Sequence, residues 1–545
     1  MMGATNLAYS PPRVASLKAS IDELSRRLQS GPALGALLVA AGACLGAITA
    51  LVLFATKPLF VVLPIAGLLL VMPTFVIRDK RLYWLGVLLF ALQFEIEKNL
   101  NDGLAVIDRL NIDYTLWHFT FQVHVTDLIL LILLFYWYAE TVFNRQRLYY
   151  PRAAWLVVGF LGFCLMSLVS APSPYLGLVE ISRQVKFFVL FLYVANNVNT
   201  KGALRLVAVM AIAILTIQAA VTVARYETGW MQPLAFGDAR QDEDHVLQYL
   251  SVDRGDIGEQ VRAFGTLGSP GSTLRLCMMV IPFALLLSMQ NPFFSNRLLF
   301  LGLTAFGMGS LLLTFTRAYY PTTAIQVAAA FFIGVRHRYM SRLEILLLVV
   351  LGVAGTAAVA PKIYEQLAVR QDSVTVRFEQ YKATFDMIVD NPIFGVGLNN
   401  GTGVKEHYVN VSFDEQDPDT QFYLEPTHNL YLSLASEIGL IGSLFYFAFF
   451  GHVLMRTWRV SSSLDPELRF FANVLLIAFA GLFVNSLYDP MHEDAVMRML
   501  WLYAGLAFAL SRMADAGSDE RNVALAAVRP DSSGPSRGVG LRRAR

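Results

Sequence analysis

Long apolar runs are the feature that most limits what this chain can fold into. Runs of about 16 to 25 residues recur from Ala33 to Ser511, and about 20 residues cross the hydrocarbon core of a bilayer as a helix. Charged residues make up only 15% of the chain, against roughly 25% in an ordinary soluble domain. The runs therefore predict a polytopic membrane protein. They exclude a soluble enzyme, a secreted disulfide scaffold and a nucleic-acid-binding domain.

The fold class predicted is all-α, a polytopic transmembrane helix bundle of about fourteen spans with helical loops on the outer face. Residues 1-30 read as a cytoplasmic amphipathic segment, 31-511 as the bundle, and 512-545 as a disordered basic cytoplasmic tail. The predicted spans are 33-54, 59-77, 82-97, 126-142, 153-171, 177-196, 203-223, 273-290, 298-315, 321-335, 343-360, 429-454, 470-487 and 495-511.

Basic residues in the loops predict the orientation. With both termini in the cytoplasm, four arginine-rich loops fall on the inside, and the long loops 98-125, 225-272 and 361-428 fall outside. Long loops in a compact protein usually carry function, so the outer face is where a site is expected. The inside loops are marked by Arg78, Lys80, Arg81, Arg145, Arg147, Arg336, Arg338, Arg342, Arg456, Arg459 and Arg469.

The sequence contains no pattern typical of a metal, redox or nucleotide cofactor. Cys44, Cys164 and Cys277 lie inside apolar runs without ligand spacing. The glycine-rich stretch 395-403 lacks the strand and the Gly-Lys-Thr of a nucleotide loop. We therefore predict no metal and no cofactor.

One predicted span carries three charges that share a helical face. Glu180, Arg183 and Lys186 recur every three residues near its outer end, where embedded charges are costly. They form either an internal ion pair or a cationic site for an anionic headgroup. Lys186 is the better ligand candidate, because Arg183 can pair with Glu180.

Three further arginines are placed at the outer face by the topology. Arg262 precedes the span at 273, Arg317 lies in a tight turn between two spans, and Arg377 lies in the last long loop. Each alone is typical of an interfacial residue whose charge reaches the headgroups. Together they would suit a diphosphate, since guanidinium groups bind phosphate oxygens bidentately.

His428 opens the first turn of a span after the longest loop. The dipole at a helix N-terminus disfavours the protonated imidazole, which leaves a nitrogen free to act as a base near pH 7. The alternative is a histidine that caps the helix or lies at the interface. Upstream, Phe378, Tyr381, Phe385 and Ile388 predict an amphipathic helix on the membrane surface, either covering the bundle or binding substrate.

Four stretches resemble the bacterial O-antigen ligases and Wzy-type polysaccharide polymerases. They are Arg262-Ala-Phe-Gly-Thr, Thr316-Arg317-Ala318, Asn391-Pro392-Ile393-Phe394-Gly395-Val396-Gly397, and His428-Asn429 with Glu437-x-Gly439-x-x-Gly442. The resemblance implies a glycosyltransferase of the bacterial inner membrane with its active site on the periplasmic side. It implies an undecaprenyl-diphosphate-linked saccharide as donor, transfer with inversion, and no metal.

The resemblance also implies residue roles. His428 would be the general base, and Arg262 and Arg317 would hold the diphosphate with help from Arg377 and Lys186. Asn429 and Glu437 would support the site. The implied partners are the lipid-linked donor, an acceptor glycan or lipid A-core, membrane lipids and a chain-length regulator.

Three functions remain open from the sequence. The first is polymerisation of exopolysaccharide or O-antigen repeat units, which the high span count favours. The second is O-antigen ligation to lipid A-core. The third is a transporter or lipid-linked sugar flippase, which would need polar residues along a midplane path, whereas the charges here gather at the outer ends of the spans.

Overall fold

The computed structural model describes most of the chain from Met72 to Val528 and is mostly helical. The described residues are 72–77, 79–94, 96–100, 119–144, 148–229, 236–237, 251–252, 260–290, 293–316, 319–339, 372–409, 423 and 425–528. The predicted amphipathic segment 1-30 and the spans 33-54 and 343-360 lie outside them.

The described helices follow one another along the chain. They are α1 (Pro73–Val76), α2 (Lys80–Ala91), α3 (Val125–Asn144), α4 (Ala154–Ser167), α5 (Pro174–Asn197), α6 (Lys201–Thr228), α7 (Pro270–Gln290), α8 (Phe294–Leu312), α9 (Tyr319–Arg336), α10 (Asp372–Asp390), α11 (Gly401–Lys405), α12 (Leu430–Val460), α13 (Pro466–Asn485) and α14 (Asp494–Val528).

Six of the described helices are long and apolar enough to cross a membrane, so the chain is a multi-pass membrane protein. The fourteen-span count and the orientation stay predictions. The six segments are Val125–Phe143, Lys201–Thr228, Pro270–Gln290, Leu430–Val460, Pro466–Asn485 and Asp494–Gly517.

Short strands depart from the all-α prediction. β1 (Ile96–Asn99) pairs antiparallel with β2 (Gln122–His124) and parallel with β3 (Phe236–Gly237), while β4 (Ser251–Val252) pairs with β5 (Gln260–Val261). The predicted span 82-97 is therefore helical only as far as Ala91. A strand replaces its end because residues far along the chain supply the hydrogen-bonding edge.

The last helix also corrects a boundary. α14 continues to Val528, so the segment predicted to be disordered from 512 is helical up to that residue. The sequence Ala524-Leu-Ala-Ala527 explains the difference, because alanine and leucine have high helix propensity. Residues 529–545 lie outside the described part.

The chain divides into two units. The first comprises Met1–Leu85 and Phe135–Arg147, and within it Arg81 forms an ion pair with Glu140. The second comprises Gly86–Leu134 and Leu148–Arg545 and contains every residue of the site described below.

An aromatic core holds the second unit together. The ring of Phe449 in α12 stacks on Trp501 in α14 with centroids 5.3 Å apart, and Phe191 in α5 meets Phe449 edge to face at 5.2 Å. All three side chains are almost completely buried. Such ring pairs add about 0.5 to 1.5 kcal/mol each beyond the area they bury, and these fix α5, α12 and α14 against one another.

Candidate active site

A break in α12 at Gly439 shapes the site. The backbone there leaves the helical region, with φ of 74°, and the helix resumes at once. A break inside a membrane helix frees backbone groups that need new partners. Glycine suits the position because it adopts positive φ without a Cβ penalty, and a Cβ would collide with the Ile393 carbonyl.

The loop Asn391–Gly397 supplies the missing partners. Val396 N donates to Ser436 O at 2.8 Å, and Gly397 N donates to Glu437 O at 3.0 Å. On the other side of the break, Leu440 N donates to Pro392 O at 2.8 Å. The two glycine-containing motifs of the sequence therefore form one unit, which we call the Gly439 interlock.

Glu437 extends the interlock with its side chain. Its Oε2 accepts a hydrogen bond from Asn399 N at 2.9 Å, just before α11. The Glu437 side chain thus fixes the loop by a direct hydrogen bond to its backbone. The supporting role expected of Glu437 in the reaction stays a prediction.

The segment Glu425–Asn429, here called the His428 strap, runs from the outer loop into α12. Lys405 of α11 donates from Nζ to the Glu425 carbonyl, and the Thr427 hydroxyl lies 2.6 Å from that of Thr384 in α10. Tyr381 Oη, also in α10, donates to the His428 carbonyl at 2.8 Å. Two helices therefore hold the strap from opposite ends.

Asn429 joins the strap to α12. Its Oδ1 accepts from Tyr431 N at 2.9 Å and from Leu432 N at 3.0 Å, so Asn429 is the N-cap. Leu430 N donates to Ser486 O at 2.9 Å, at the end of α13. The capping role therefore falls to Asn429 and leaves the His428 ring without that function.

The His428 imidazole is neutral at physiological pH. Burial is the main cause that lowers its pKa to about 4, and the positive charges of Arg377 and Lys405 lower it further. Asp489 and a backbone hydrogen bond to Pro426 act in the opposite direction. The Nδ1 atom is buried and has no hydrogen-bond partner among the described residues. The predicted neutral state thus has burial, rather than the helix dipole, as its chief cause.

The predicted arginines fall in different surroundings. Arg262 donates from Nε to Thr314 O at 3.0 Å and from Nη2 to Thr316 Oγ1 at 2.8 Å, so it is tied to the turn after α8. Arg317 is the next residue after Thr316 but lies outside the described residues. Arg377 is exposed on α10, and its charge acts on His428.

The charged residues of α5 form internal ion pairs, which is one of the two arrangements considered from the sequence. Arg183 forms ion pairs with Glu180 and with Asp494 of α14. Lys186 Nζ lies 2.9 Å from Asp127 Oδ2 and donates to Gln122 O at 3.0 Å. The structure thus gives Lys186 a carboxylate partner, Asp127.

Several charged residues near α5 were not predicted from the sequence. Asp494 lies 2.8 Å from His124 Nε2 and 2.8 Å from Arg498 Nη2, and Arg498 reaches Asp127 at 3.0 Å. We call Asp127, Glu180, Arg183, Lys186, Asp494 and Arg498, with His124, the Asp494 network. Arginine inside a predicted span was the signal available in the sequence, because charge there is costly.

Arg275 is a second missed arginine. It lies in the first turns of α7, its side chain is 5% exposed, and it pairs with both Asp489 and Glu493. Since Asp489 also acts on the pKa of His428, Arg275 belongs to the surroundings of the strap.

Two small cavities meet at Glu437. One of about 50 Å³ is lined by Glu180, Arg183, Gln184, Asn399, Ser433 and Glu437 among others. The other, of about 10 Å³, is lined by Lys405, Thr427, Ser433, Ser436 and Glu437 among others. They have room for a few waters and for one water respectively.

Comparison with known families identifies the domain that contains the Gly439 interlock and the His428 strap. Residues 299–447 match the family model of the O-antigen ligases (Wzy_C). This stretch carries an O-antigen ligase domain. The resemblance found in the sequence is thereby confirmed, and the O-antigen ligase domain takes in the Gly439 interlock, Arg377 and His428. A search of curated proteins gave no match.

Proposed function

We propose that the chain is an inner-membrane glycosyltransferase that uses undecaprenyl-diphosphate-linked saccharide donors at the periplasmic face. The observation that carries the proposal is a neutral histidine, inside the O-antigen ligase domain, on a strap held by α10 and α11. A multi-pass membrane enzyme of this family has its lipid-linked substrates in the same bilayer.

His428 is the general base in this proposal. The acceptor hydroxyl gives its proton to the imidazole as its oxygen forms a bond to the anomeric carbon of the donor. The bond from that carbon to the diphosphate breaks, and its electron pair leaves with undecaprenyl diphosphate. Attack from the face opposite the leaving group inverts the anomeric configuration. A positioned base contributes roughly 10² to 10⁴ in rate.

The low pKa of His428 fits the first step of this reaction. The imidazole is already neutral at pH 7, so it accepts a proton without first losing one. A buried imidazolium is costly by itself, and the negative charge that develops on the leaving diphosphate stabilises it. The base is therefore strongest in the transition state.

The arginines are proposed to hold the diphosphate. Arg377 brings a cation close to His428, and Arg262 positions the turn that leads to Arg317. Guanidinium groups stabilise the charge that grows on the leaving group. Lys186, paired with Asp127, is proposed to support this site through the Asp494 network rather than by direct contact.

Two acceptors are compatible with this chemistry. A growing glycan makes the protein a polymerase, our first candidate, because the apolar runs predict about fourteen spans. Lipid A-core makes it an O-antigen ligase, which the description of the matched family favours. The grouping of charges around the strap and in the Asp494 network disfavours a transporter.

The test is a transfer assay in nanodiscs with the lipid-linked donor and each acceptor in turn. His428→Ala is expected to lose roughly 10² to 10⁴ of the rate. His407→Ala is the matched control, because His407 is an exposed histidine in the same domain. Near-normal transfer by His428→Ala would exclude His428 as the general base. Product formed with only one of the two acceptors decides between polymerase and ligase.

A further inference from the structure

The helix α10 divides lengthwise into three sectors. One packs on the bundle and is buried, and comprises Gln380, Ala383, Thr384, Met387 and Ile388. A second is apolar and exposed, and comprises Phe378, Phe385 and Val389, which are 67%, 58% and 60% exposed. A third is charged and exposed, and comprises Lys382, Asp386 and Asp390.

The helical period explains these sectors. At 3.6 residues per turn, positions 378, 385 and 389 fall within an arc of roughly 40°, and the charged positions follow on one side. A helix that only covered a bundle in water would need one apolar sector, for the bundle. A second apolar sector, separate from the first, needs a second apolar surrounding.

The exposed apolar surface continues beyond the end of α10. Ile393 is 51% exposed, and its neighbour Pro392 accepts the hydrogen bond from Leu440 in the Gly439 interlock. From that point an exposed apolar side of α12 begins, with Leu440 and Leu444 at 52% and 67% exposure. Because α12 is long and apolar enough to cross the membrane, the apolar sector of α10 adjoins a surface that meets acyl chains.

We propose that α10 is a membrane-surface helix whose apolar sector of Phe378, Phe385 and Val389 inserts into the outer leaflet. Lys382 borders this sector, where a long cationic side chain reaches the phosphate level while its stem stays in the apolar layer. Asp386 and Asp390 face water. The occupant of the sector is the lipid surface itself.

This contact has a consequence for the strap. Tyr381 and Thr384 belong to the same helix and hold His428 and Thr427. The depth of α10 in the leaflet therefore sets the height of His428 above the acyl chains. This second step rests on the proposed function, because only a lipid-linked donor requires the base at a fixed depth.

The lipid contact is tested by spin labels on the full chain in phosphatidylethanolamine and phosphatidylglycerol liposomes. Cys44, Cys164 and Cys277 are first replaced by alanine, and one cysteine is then introduced by Phe385→Cys or by Asp386→Cys. The two positions are neighbours and both exposed, but they belong to different sectors. We expect the nitroxide at 385 to collide mainly with oxygen, which concentrates in acyl chains, and the nitroxide at 386 mainly with a water-soluble nickel chelate.

Two results overturn the proposal. One is equal access of the nickel chelate to both positions, which places the sector in water. The other is dipolar broadening at 385 between labels of two copies, which makes the sector a contact between chains. Phe378→Cys and Val389→Cys repeat the test, so failure of one variant to fold leaves it intact.

A separate assay tests the link to the strap. Phe385→Asp is expected to lower transfer from a long polyprenyl donor severalfold, whereas Phe385→Trp retains it. Unchanged transfer in Phe385→Asp contradicts the depth argument. If the labels report lipid contact while the wild-type protein transfers no sugar, the proposed function fails and the membrane-surface helix stands.

Discussion

The Asp494 network and the His428 strap bury ionisable groups in two different ways. In the network, Arg183 and Arg498 have carboxylate partners, and Asp494 joins both to His124. At the strap, Lys405 of α11 donates a hydrogen bond to the Glu425 backbone carbonyl, and His428 Nδ1 has no hydrogen-bond partner among the described residues. Paired charges tie α3, α5 and α14 together, whereas the strap holds a neutral imidazole.

The largest effect is expected from breaking the network. Asp494→Asn leaves Arg183 and Arg498 without their shared charge. Removing one partner of a buried pair costs about 3 to 5 kcal/mol. We expect a large fall in the thermal unfolding temperature of the purified protein, together with loss of activity.

The matched control for Asp494→Asn is Glu467→Gln. Glu467 pairs with the highly exposed Arg205, an ion pair that water screens. Its loss should leave the unfolding temperature nearly unchanged. Equal effects from the two substitutions would contradict the structural role of the Asp494 network.

The second effect concerns the Gly439 interlock. Gly439→Ala forces a side chain into the left-handed region, which costs about 1 to 3 kcal/mol, and its Cβ also meets the Ile393 carbonyl. We expect reduced stability and reduced transfer, measured by thermal unfolding and by the nanodisc assay. Gly451→Ala, in the same helix with open space around it, should be tolerated. An unaffected Gly439→Ala variant would show that the break does not shape the site.

The third effect concerns Lys405, where we expect a substitution to lower activity without unfolding the protein. Lys405→Met keeps the apolar stem and removes the hydrogen bond to Glu425. Transfer should fall about tenfold, in line with the loss of one hydrogen bond worth about 1.4 kcal/mol, while the protein stays folded. Lys405→Arg should restore part of the rate if the anchor to the strap is what matters. A Lys405→Met variant with full activity would exclude this anchor.

Lys405 also has a signature in the pH dependence of stability. Burial lowers its pKa to about 7 in the folded protein. Between about pH 7 and its ordinary value of 10.5, the unfolded chain therefore binds more protons, and this group makes folding more favourable as the pH rises. Thermal unfolding at pH 7 and pH 9.5 should show this gain in the wild type and not in Lys405→Met. An identical gain in stability in the wild type and in Lys405→Met would show that other titratable groups cause it.

The smallest effect is expected from Arg377→Gln. It concerns the fall of the transfer rate at acid pH, here called the acid limb. Since burial and nearby cations lower the pKa of His428 to about 4, transfer should stay constant from neutral pH down to about 5 and fall below that. Arg377→Gln removes one of these cations, so the acid limb should move to higher pH. A limb near 6.5 in the wild type would contradict the buried, neutral imidazole.

Local patterns in the sequence predicted part of this arrangement. The spacing of Glu180 and Arg183 by three residues was enough to suggest their pairing, and the period of Phe378, Tyr381 and Phe385 predicted α10. The position of His428 before an apolar run predicted a histidine at the start of a helix. All these features depend on neighbours within a few turns.

Features that depend on distant partners were missed. Arg275 lies more than 200 positions before Asp489, and nothing near Arg275 shows which carboxylate it meets. The predicted span 429-454 runs through Gly439, and the break in the helix becomes visible only together with the loop Asn391–Gly397 that bonds to it. For the same reason the sequence indicated a span where β1 pairs with the remote strand β2.

Chemical rescue tests the central claim most directly. In His428→Gly, the vacated space should admit imidazole from solution. Transfer from the lipid-linked donor should then recover as imidazole is added. The recovery should follow the concentration of neutral imidazole as the pH is changed. Gly439→Ala, in which the base is present but displaced, should not respond. A His428→Gly variant that transfers sugar at the wild-type rate without imidazole would contradict the assignment of His428 as the base.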